Sequence, residues 1–105
     1  MSNSTDEYFS ALADIHRRRV LVGLLETASQ QGSIAVPEDV HDGHAELESL
    51  QAGFHHVHLP RLKAAGLIRQ EQGGHEVMKG PNFDEVRPVL ETMRDRADAL
   101  PNDCL

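Results

Sequence analysis

Three histidines, His55, His56 and His58, stand close together in the stretch "FHHVHLPRLKAAGLI", which covers residues 54–68. Imidazole groups at this density can bind a metal ion, form hydrogen bonds at a nucleic-acid surface, or pack inside a protein. On a helix, His55 and His58 share one face because they are three residues apart, whereas His56 points away from them. The chemistry of this stretch therefore depends on the element that carries it.

A metal site would need a third ligand besides His55 and His58. The neighbouring stretch "DVHDGH" offers His41 or His44 for that place. Histidine-based metal or ligand sensing is thus a minor alternative, and no metal or other cofactor is expected. The favoured interpretation is that His55 and His58 are half-buried and hydrogen-bonded, and that His56 is exposed.

Catalytic motifs are not recognisable in the chain. It has no phosphate-binding glycine loop, no nucleophile elbow, and no Ser, Cys or Asp in a familiar frame with a histidine. The lone cysteine, Cys104, has no partner for an internal disulfide. We therefore do not expect an enzyme.

The overall charge argues against a generic binder of polyanions. The 105 residues carry a formal net charge of −7, with eight arginines and only two lysines among the basic residues. Such an acidic, lysine-poor composition resembles that of proteins from salt-loving archaea. If the acidity serves solvation in salt, the distribution of charge says more about the partner than its sum does.

That distribution is uneven along the chain. Residues 15–25 contain three arginines and no acid, residues 51–69 contain three basic residues and no acid, and residues 26–48 contain six acids and no base. The run Arg17 to Arg19 is a candidate phosphate-binding patch. The competing interpretation is that its side chains diverge around a helix and pair with acids such as Asp14.

The composition predicts one cytoplasmic domain. Hydrophobic residues make up 39% of the chain, enough for a modest core. No apolar run approaches the roughly 20 residues of a membrane span, and the start lacks the basic and apolar segments of a secretory signal. We therefore expect no membrane partner.

Hydrophobic spacing predicts mainly helices. Two helical segments cover residues 5–25, with Asp14 as a cap between them, and a further helical run ends at Gly66. Two short extended segments around Gly73-Gly74 then predict a β-hairpin. A last helix is expected over residues 82–100.

The last helix carries an apolar stripe at heptad spacing. Its members follow one another at steps of 3, 4, 3, 4 and 3, and are Phe83, Val86, Leu90, Met93, Ala97 and Leu100. The stripe can form the seam of a homodimer or pack against its own domain, and we assign it to dimerisation.

Two segments carry a family resemblance. "ALADIHRRRVLVGLL" and "HLPRLKAAGLI" resemble the arsenical-resistance-repressor (ArsR)-like winged helix-turn-helix proteins, and "FDEVRPVLE" is similar to small haloarchaeal winged-helix domains. The resemblance implies a mainly α fold with a small β-hairpin and a C-terminal helix. The resemblance covers about residues 8–93. Together with the length of the chain it leads us to expect one domain over residues 1–105, with its core over about 6–81.

The family resemblance also implies a function: a homodimeric transcription regulator that binds double-stranded DNA. Its recognition helix would enter the major groove and its hairpin wing would contact the backbone. Leu59 and Leu62 fall at positions that the family buries. The implied DNA-contacting residues are Gln51, His56, Arg61, Lys63, Arg69 and Lys79.

Two features depart from the family pattern. Pro60 stands at a helical position, where it lacks an amide donor, and His56-Val57 replaces the usual polar pair. In addition, the apolar residues around Phe54 lie out of phase with those that follow Pro60, which predicts a break in the helix. These departures favour an alternative function, a winged-helix adaptor that binds another protein through an apolar patch around Leu50, Phe54 and Val57.

Overall fold

The computed structural model describes residues 4–27, 32–36, 47–70, 76–101 and 104, and for residues 4, 47, 48 and 50 only the backbone. Within these ranges the protein is mainly helical and has one small three-stranded antiparallel sheet. The predicted turn at Gly73-Gly74 and the histidines at 41 and 44 lie outside the described residues. None of the described helices combines the length and the apolar character needed to cross a bilayer.

The first two helices are joined by a tight corner at Asp14. Helix α1 spans Ser4–Leu12 and α2 spans Ile15–Leu25. The Asp14 carboxylate accepts a hydrogen bond from the His16 amide at 2.8 Å, which satisfies one of the unpaired donors at the start of α2. The predicted cap is confirmed.

The sheet holds one strand more than the predicted hairpin. Strands β2 (Ile68–Gln70) and β3 (Glu76–Lys79) pair antiparallel, as expected. A third strand, β1 (Ser33–Ala35), pairs with the other edge of β3, so the strand order is β1-β3-β2. Three residues are too few to show strand periodicity, which is why the sequence did not predict β1.

The helical run that precedes the hairpin is continuous and changes its pitch. Helix α3 (Leu47–Gly53) passes into a π-helix (Phe54–His58) and then into α4 (Leu59–Ala64). The Leu59 amide donates to the Phe54 carbonyl, five residues earlier, as in a π-helix. The predicted break near Pro60 takes this form: the α-helical pattern stops at Gly53 and a new α-helix begins at Leu59, with Pro60 in its first turn, while the backbone between them stays helical.

The π-helix also removes the phase conflict between the two apolar stripes. One extra residue per turn brings Phe54, Leu59 and Leu62 to the same buried side. Val57, which the sequence placed in the first stripe, is instead 49% exposed. In a straight α-helix Phe54 and Leu59, which are five residues apart, would point about 140° away from each other and could not both face one core.

Helix α4 ends in a Schellman motif centred on Gly66. Gly66 has φ of 74°, its amide donates to the Lys63 carbonyl at 3.0 Å, and the Leu67 amide donates to the Leu62 carbonyl at 3.0 Å. The predicted glycine cap is confirmed. The reversal points the chain directly into β2.

Helix α5 spans Phe83–Asp95 and is followed by a 3₁₀ turn over Ala97–Ala99. Its first residue is preceded by Asn82, whose side-chain amide donates to the Ala65 carbonyl at 3.2 Å and makes no cap bond to α5. Asn82 and Glu85 have the spacing of a capping box, which the sequence therefore predicts at this helix start. That prediction is wrong, because Asn82 joins α5 to the end of α4 instead.

The inner side of α5 belongs to the core of its own domain. Phe83 and Leu90 are fully buried and Val86 is 2% exposed, in one cluster with Leu21 and Leu62. The assignment of Phe83, Val86 and Leu90 to a dimer seam is wrong, because the same chain already covers them. Met93, near the end of α5, is partly buried. Ala97 and Leu100 lie beyond the end of α5, where Ala97 is exposed and Leu100 is partly buried.

Gly80 and Gly53 allow a matched test of how closely the backbone at the end of β3 approaches the turn that precedes β2. A Cβ on Gly80 would lie 2.5 Å from the Gly66 carbonyl oxygen and 2.6 Å from the Ile68 amide nitrogen. Gly80→Ala should therefore lower the free energy of unfolding by about 3 kcal/mol. A Cβ on Gly53 meets nothing within 4 Å, so Gly53→Ala should raise it by about 0.5–1 kcal/mol through helix propensity. Urea denaturation measures both, and equal effects would contradict the close approach at Gly80.

Candidate nucleic-acid interface

The outer side of the helical run is exposed and carries no acid among the described side chains of residues 49–69. Its exposed members are mostly polar, basic or small, with Val57 and Pro60 as apolar exceptions: Ser49, Gln51, Ala52, His55, His56, Val57, Pro60, Arg61, Lys63 and Ala64. The chain as a whole has a net charge of −7, so a face of this length without an acidic residue differs strongly from the rest of the chain in its charge. It is the natural place to look for an anionic partner.

His55 and His56 are the aromatic part of this outer side. Both are exposed, and their rings meet edge to face with centroids 5.3 Å apart. The expected exposure of His56 is confirmed, and the expected half-burial of His55 is wrong. The reason is the π-helix, whose wider turn rotates His55 away from the core side that holds His58.

His58 is the histidine that packs inward, as predicted. Its side chain is 13% exposed, and its ring lies 5.3 Å from the ring of Phe54 and 5.4 Å from that of His16. Its Nδ1 lies 3.0 Å from Nη1 of Arg17, and its Nε2 lies 3.8 Å from Oδ1 of Asp14. Because a guanidinium only donates, Nδ1 must accept, which places the proton of the neutral ring on Nε2, toward Asp14.

Burial and neighbouring charges set the protonation of this junction. Burial lowers the pKa of His58, and the positive charge of Arg17 adds to that effect, while the Asp14 carboxylate opposes it. Burial alone would raise the pKa of Asp14. The hydrogen bond from the His16 amide and the charges of His58 and Arg17 outweigh it, so the pKa of Asp14 is lowered.

Two of the three arginines of α2, Arg17 and Arg18, bind the end of α1 rather than a phosphate. Arg17, 8% exposed, donates from Nε to the Ala11 carbonyl at 3.0 Å and from Nη2 to the Ser10 carbonyl at 3.1 Å. Arg18 donates to the Leu12 carbonyl at 2.7 Å and to the Cys104 carbonyl at 2.6 Å. Two guanidinium groups thus satisfy the last carbonyls of α1. Neither the phosphate patch nor the expected acid pairing describes this role.

Lys79 does not belong to the interface. It is 3% exposed, and its ammonium donates to the Thr27 hydroxyl at 2.9 Å and to the Thr27 carbonyl at 3.4 Å, 5.7 Å from the Phe83 ring centroid. Burial lowers its pKa, with the charge of Arg87 adding to that effect. Its assignment to DNA is therefore wrong: alternate residues of β3 face the core, and Lys79 shares that face with Val77.

Lys63 and Arg69 bring two exposed cations to neighbouring elements. Lys63 lies near the end of α4, and its Nζ is 3.5 Å from Oε1 of Gln70 on β2. Arg69 is exposed on the same strand, and its Nε donates to the Lys79 carbonyl at 3.1 Å. The positive charge therefore continues from α4 onto β2.

Arg61 points toward α1 instead. Its Nη1 donates to the Ser10 hydroxyl at 3.0 Å, and it lines a cavity together with Asp6 and Glu7. Of the six residues assigned to DNA, Lys79 is buried, and Arg61, although exposed, is hydrogen-bonded to α1. The other four are exposed on the helical run and β2: Gln51, His56, Lys63 and Arg69. His55 joins them, and its exposure could not be found without the π-helix.

Within the described ranges, no group of three His, Cys, Asp or Glu side chains is arranged to hold a metal ion. Comparison with protein-family models, with curated proteins and with solved structures finds no match to this chain.

Removing the Arg17 guanidinium should destabilise the fold. Arg17→Met leaves the buried carbonyls of Ser10 and Ala11 without these donors, so the free energy of unfolding should fall by at least about 2 kcal/mol. Arg94→Met is the matched control, because Arg94 is exposed and pairs only at the surface with Asp95, and it should change stability by less than about 0.5 kcal/mol. Chemical denaturation of both variants is the measurement, and a loss no larger than that of the control would refute the capping role.

His58 should make stability depend on pH. Since its pKa is lower in the folded than in the unfolded chain, its contribution is complete above pH of about 6.5 and is lost as pH falls through the lower folded value. His58→Asn keeps an acceptor for Arg17 and cannot titrate. The stability difference between wild type and His58→Asn should therefore shrink on acidification from about pH 7.5 to about pH 5.5, one unit either side of 6.5, whereas His55→Asn serves as the exposed control. A stability difference between wild type and His58→Asn that does not change with pH would contradict the lowered pKa of His58 in the folded protein.

Proposed function

We propose that this protein binds double-stranded DNA through the outer side of its helical run and through β2, as a winged-helix transcription regulator. The observation that carries the proposal is the acid-free exposed side of residues 49–69 on a chain with a net charge of −7. Phosphates attract such a surface and are repelled by the acids elsewhere.

The arrangement of elements supports the winged-helix part of the proposal. A helical run of 47–64 is followed directly by two antiparallel strands, and a third strand pairs with the far edge of β3. A recognition helix followed by a wing has this order. The same residues carry the resemblance of "HLPRLKAAGLI" to ArsR-like proteins.

The exposed residues divide by the contacts they can make. Lys63 and Arg69 carry full charges and suit phosphate oxygens, which fix position without reading sequence. Gln51 can pair with adenine, and His55 and His56 present ring nitrogens at the same outer side. Base recognition would therefore depend on the first half of the run, and backbone contact on its end.

A homodimer remains part of the proposal with a changed contact surface. Phe83, Val86 and Leu90 are core residues, so a partner could not use them. The outer side of the C-terminal segment still offers Val89, which is 40% exposed, and the exposed Ala97.

The adaptor alternative has lost Phe54 from its apolar patch. Phe54 is 2% exposed in its own core, and the side chain of Leu50 lies outside the described residues. The exposure of Val57 and the net charge of −7 still favour it. An adaptor would bind no duplex, which the following experiment detects.

Reversing the charges of Lys63 and Arg69 together should weaken duplex binding at least about tenfold and make its salt dependence shallower by about two units of slope. The matched control reverses Arg94 and Arg96, two exposed arginines of the C-terminal segment, and alters net charge equally. Fluorescence anisotropy with labelled duplexes over a range of salt measures both.

Wild-type protein that binds no duplex at any salt would overturn the proposal in favour of the adaptor. Equal losses in the two double variants would show that net charge alone governs binding, and would refute the assigned interface.

A further inference from the structure

A cavity of about 340 Å³ lies between α1 and α4, at the edge of the outer side of the helical run, with which it shares Arg61 and Ala64. Its lining comes from both helices and comprises Asp6, Glu7, Ser10, Arg61, Ala64 and Ala65. This volume falls within the range of small-molecule sites in proteins, about 300–1,000 Å³.

Opposite charges line this cavity without pairing. Asp6 and Glu7 contribute carboxylates from the first turn of α1, and Arg61 contributes a guanidinium from α4. Among the described residues, the ion pairs found within contact distance include none of these three side chains. The Arg61 side chain is instead oriented by its 3.0 Å hydrogen bond to the Ser10 hydroxyl.

The rest of the lining is apolar and small. Ala64 and Ala65 present methyl groups between the charged residues, and Ala65 is 7% exposed. An aliphatic chain can pack on such a surface while its two ends reach the charges. The two carboxylates and one guanidinium leave the cavity with one excess negative charge.

We propose that this cavity binds a small aliphatic diamino acid. An ammonium group would pair with Asp6 and Glu7, the carboxylate would pair with Arg61, and the methylenes would lie on Ala64 and Ala65. Such a ligand carries one net positive charge and so balances the cavity. The proposal is independent of DNA binding.

Three probes of matched length test the ligand class. L-lysine has both charged ends, cadaverine is the same chain without the carboxylate, and L-norleucine lacks the distal ammonium. L-lysine should bind with a dissociation constant of about 1 mM or below, and each of the other two about fivefold more weakly. Isothermal titration calorimetry on the full chain gives all three values.

Variants assign the two ends of the ligand. Arg61→Gln should weaken L-lysine about fivefold and leave cadaverine unchanged, because only the carboxylate partner is removed. Glu7→Gln should weaken L-lysine and cadaverine alike. Arg94→Gln, remote on α5, should change neither, and thermal melts confirm that these exposed substitutions leave the fold intact.

Absence of heat from L-lysine at concentrations well above about 1 mM would overturn the proposal. So would a loss of cadaverine binding in Arg61→Gln equal to that of L-lysine, since it would show that the guanidinium does not hold the carboxylate. Duplex binding by the wild type would be unaffected by either result, so failure here is distinguishable from failure of the DNA-binding proposal.

Discussion

The rest of the structure depends on the hydrogen bonds that the guanidinium of Arg17 makes in the interior. The guanidinium bonds to the carbonyls of Ser10 and Ala11 and to the ring of His58, and so joins α1, α2 and the π-helix at one point. Burying a charge is costly unless hydrogen bonds compensate it, and these three bonds provide that compensation. Asp14 completes the junction, because it starts α2 and also lies near His58.

The π-helix converts this junction into an exposed surface. By adding a residue to the turn, it brings Phe54 and Leu59 together in the core and leaves His55, His56 and Val57 outside. The packing of Phe54 and Leu59 in the core thus determines which side chains of the π-helix are exposed to solvent. The acid-free side on which we propose that DNA binds is the outer face of the same turn that holds His58 against Arg17.

Helix α4 serves two surfaces because its basic residues diverge. Lys63 lies beside Gln70 and extends the candidate interface onto β2, whereas Arg61 turns to Ser10 and lines the cavity beneath α1. The two positions are two residues apart, which on a helix separates their directions widely. A ligand in the cavity and a duplex on the outer side would therefore contact one helix from different sides.

Local interactions allowed the sequence to determine the caps at Asp14 and Gly66 and the pairing of β2 with β3, since each involves near neighbours along the chain. Only the tertiary structure decided the roles of Arg17, of Lys79 and of the apolar stripe on α5. From the sequence, Lys79 looks like an exposed cation of the wing. In the structure it is buried and donates a hydrogen bond to Thr27, 52 positions away. The spacing of the apolar stripe fits a dimer seam as well as it fits an intramolecular core. In the structure the domain itself covers Phe83 and Leu90. Periodicity specifies that a face will be buried, but the partner that buries it is set by contacts between distant parts of the chain.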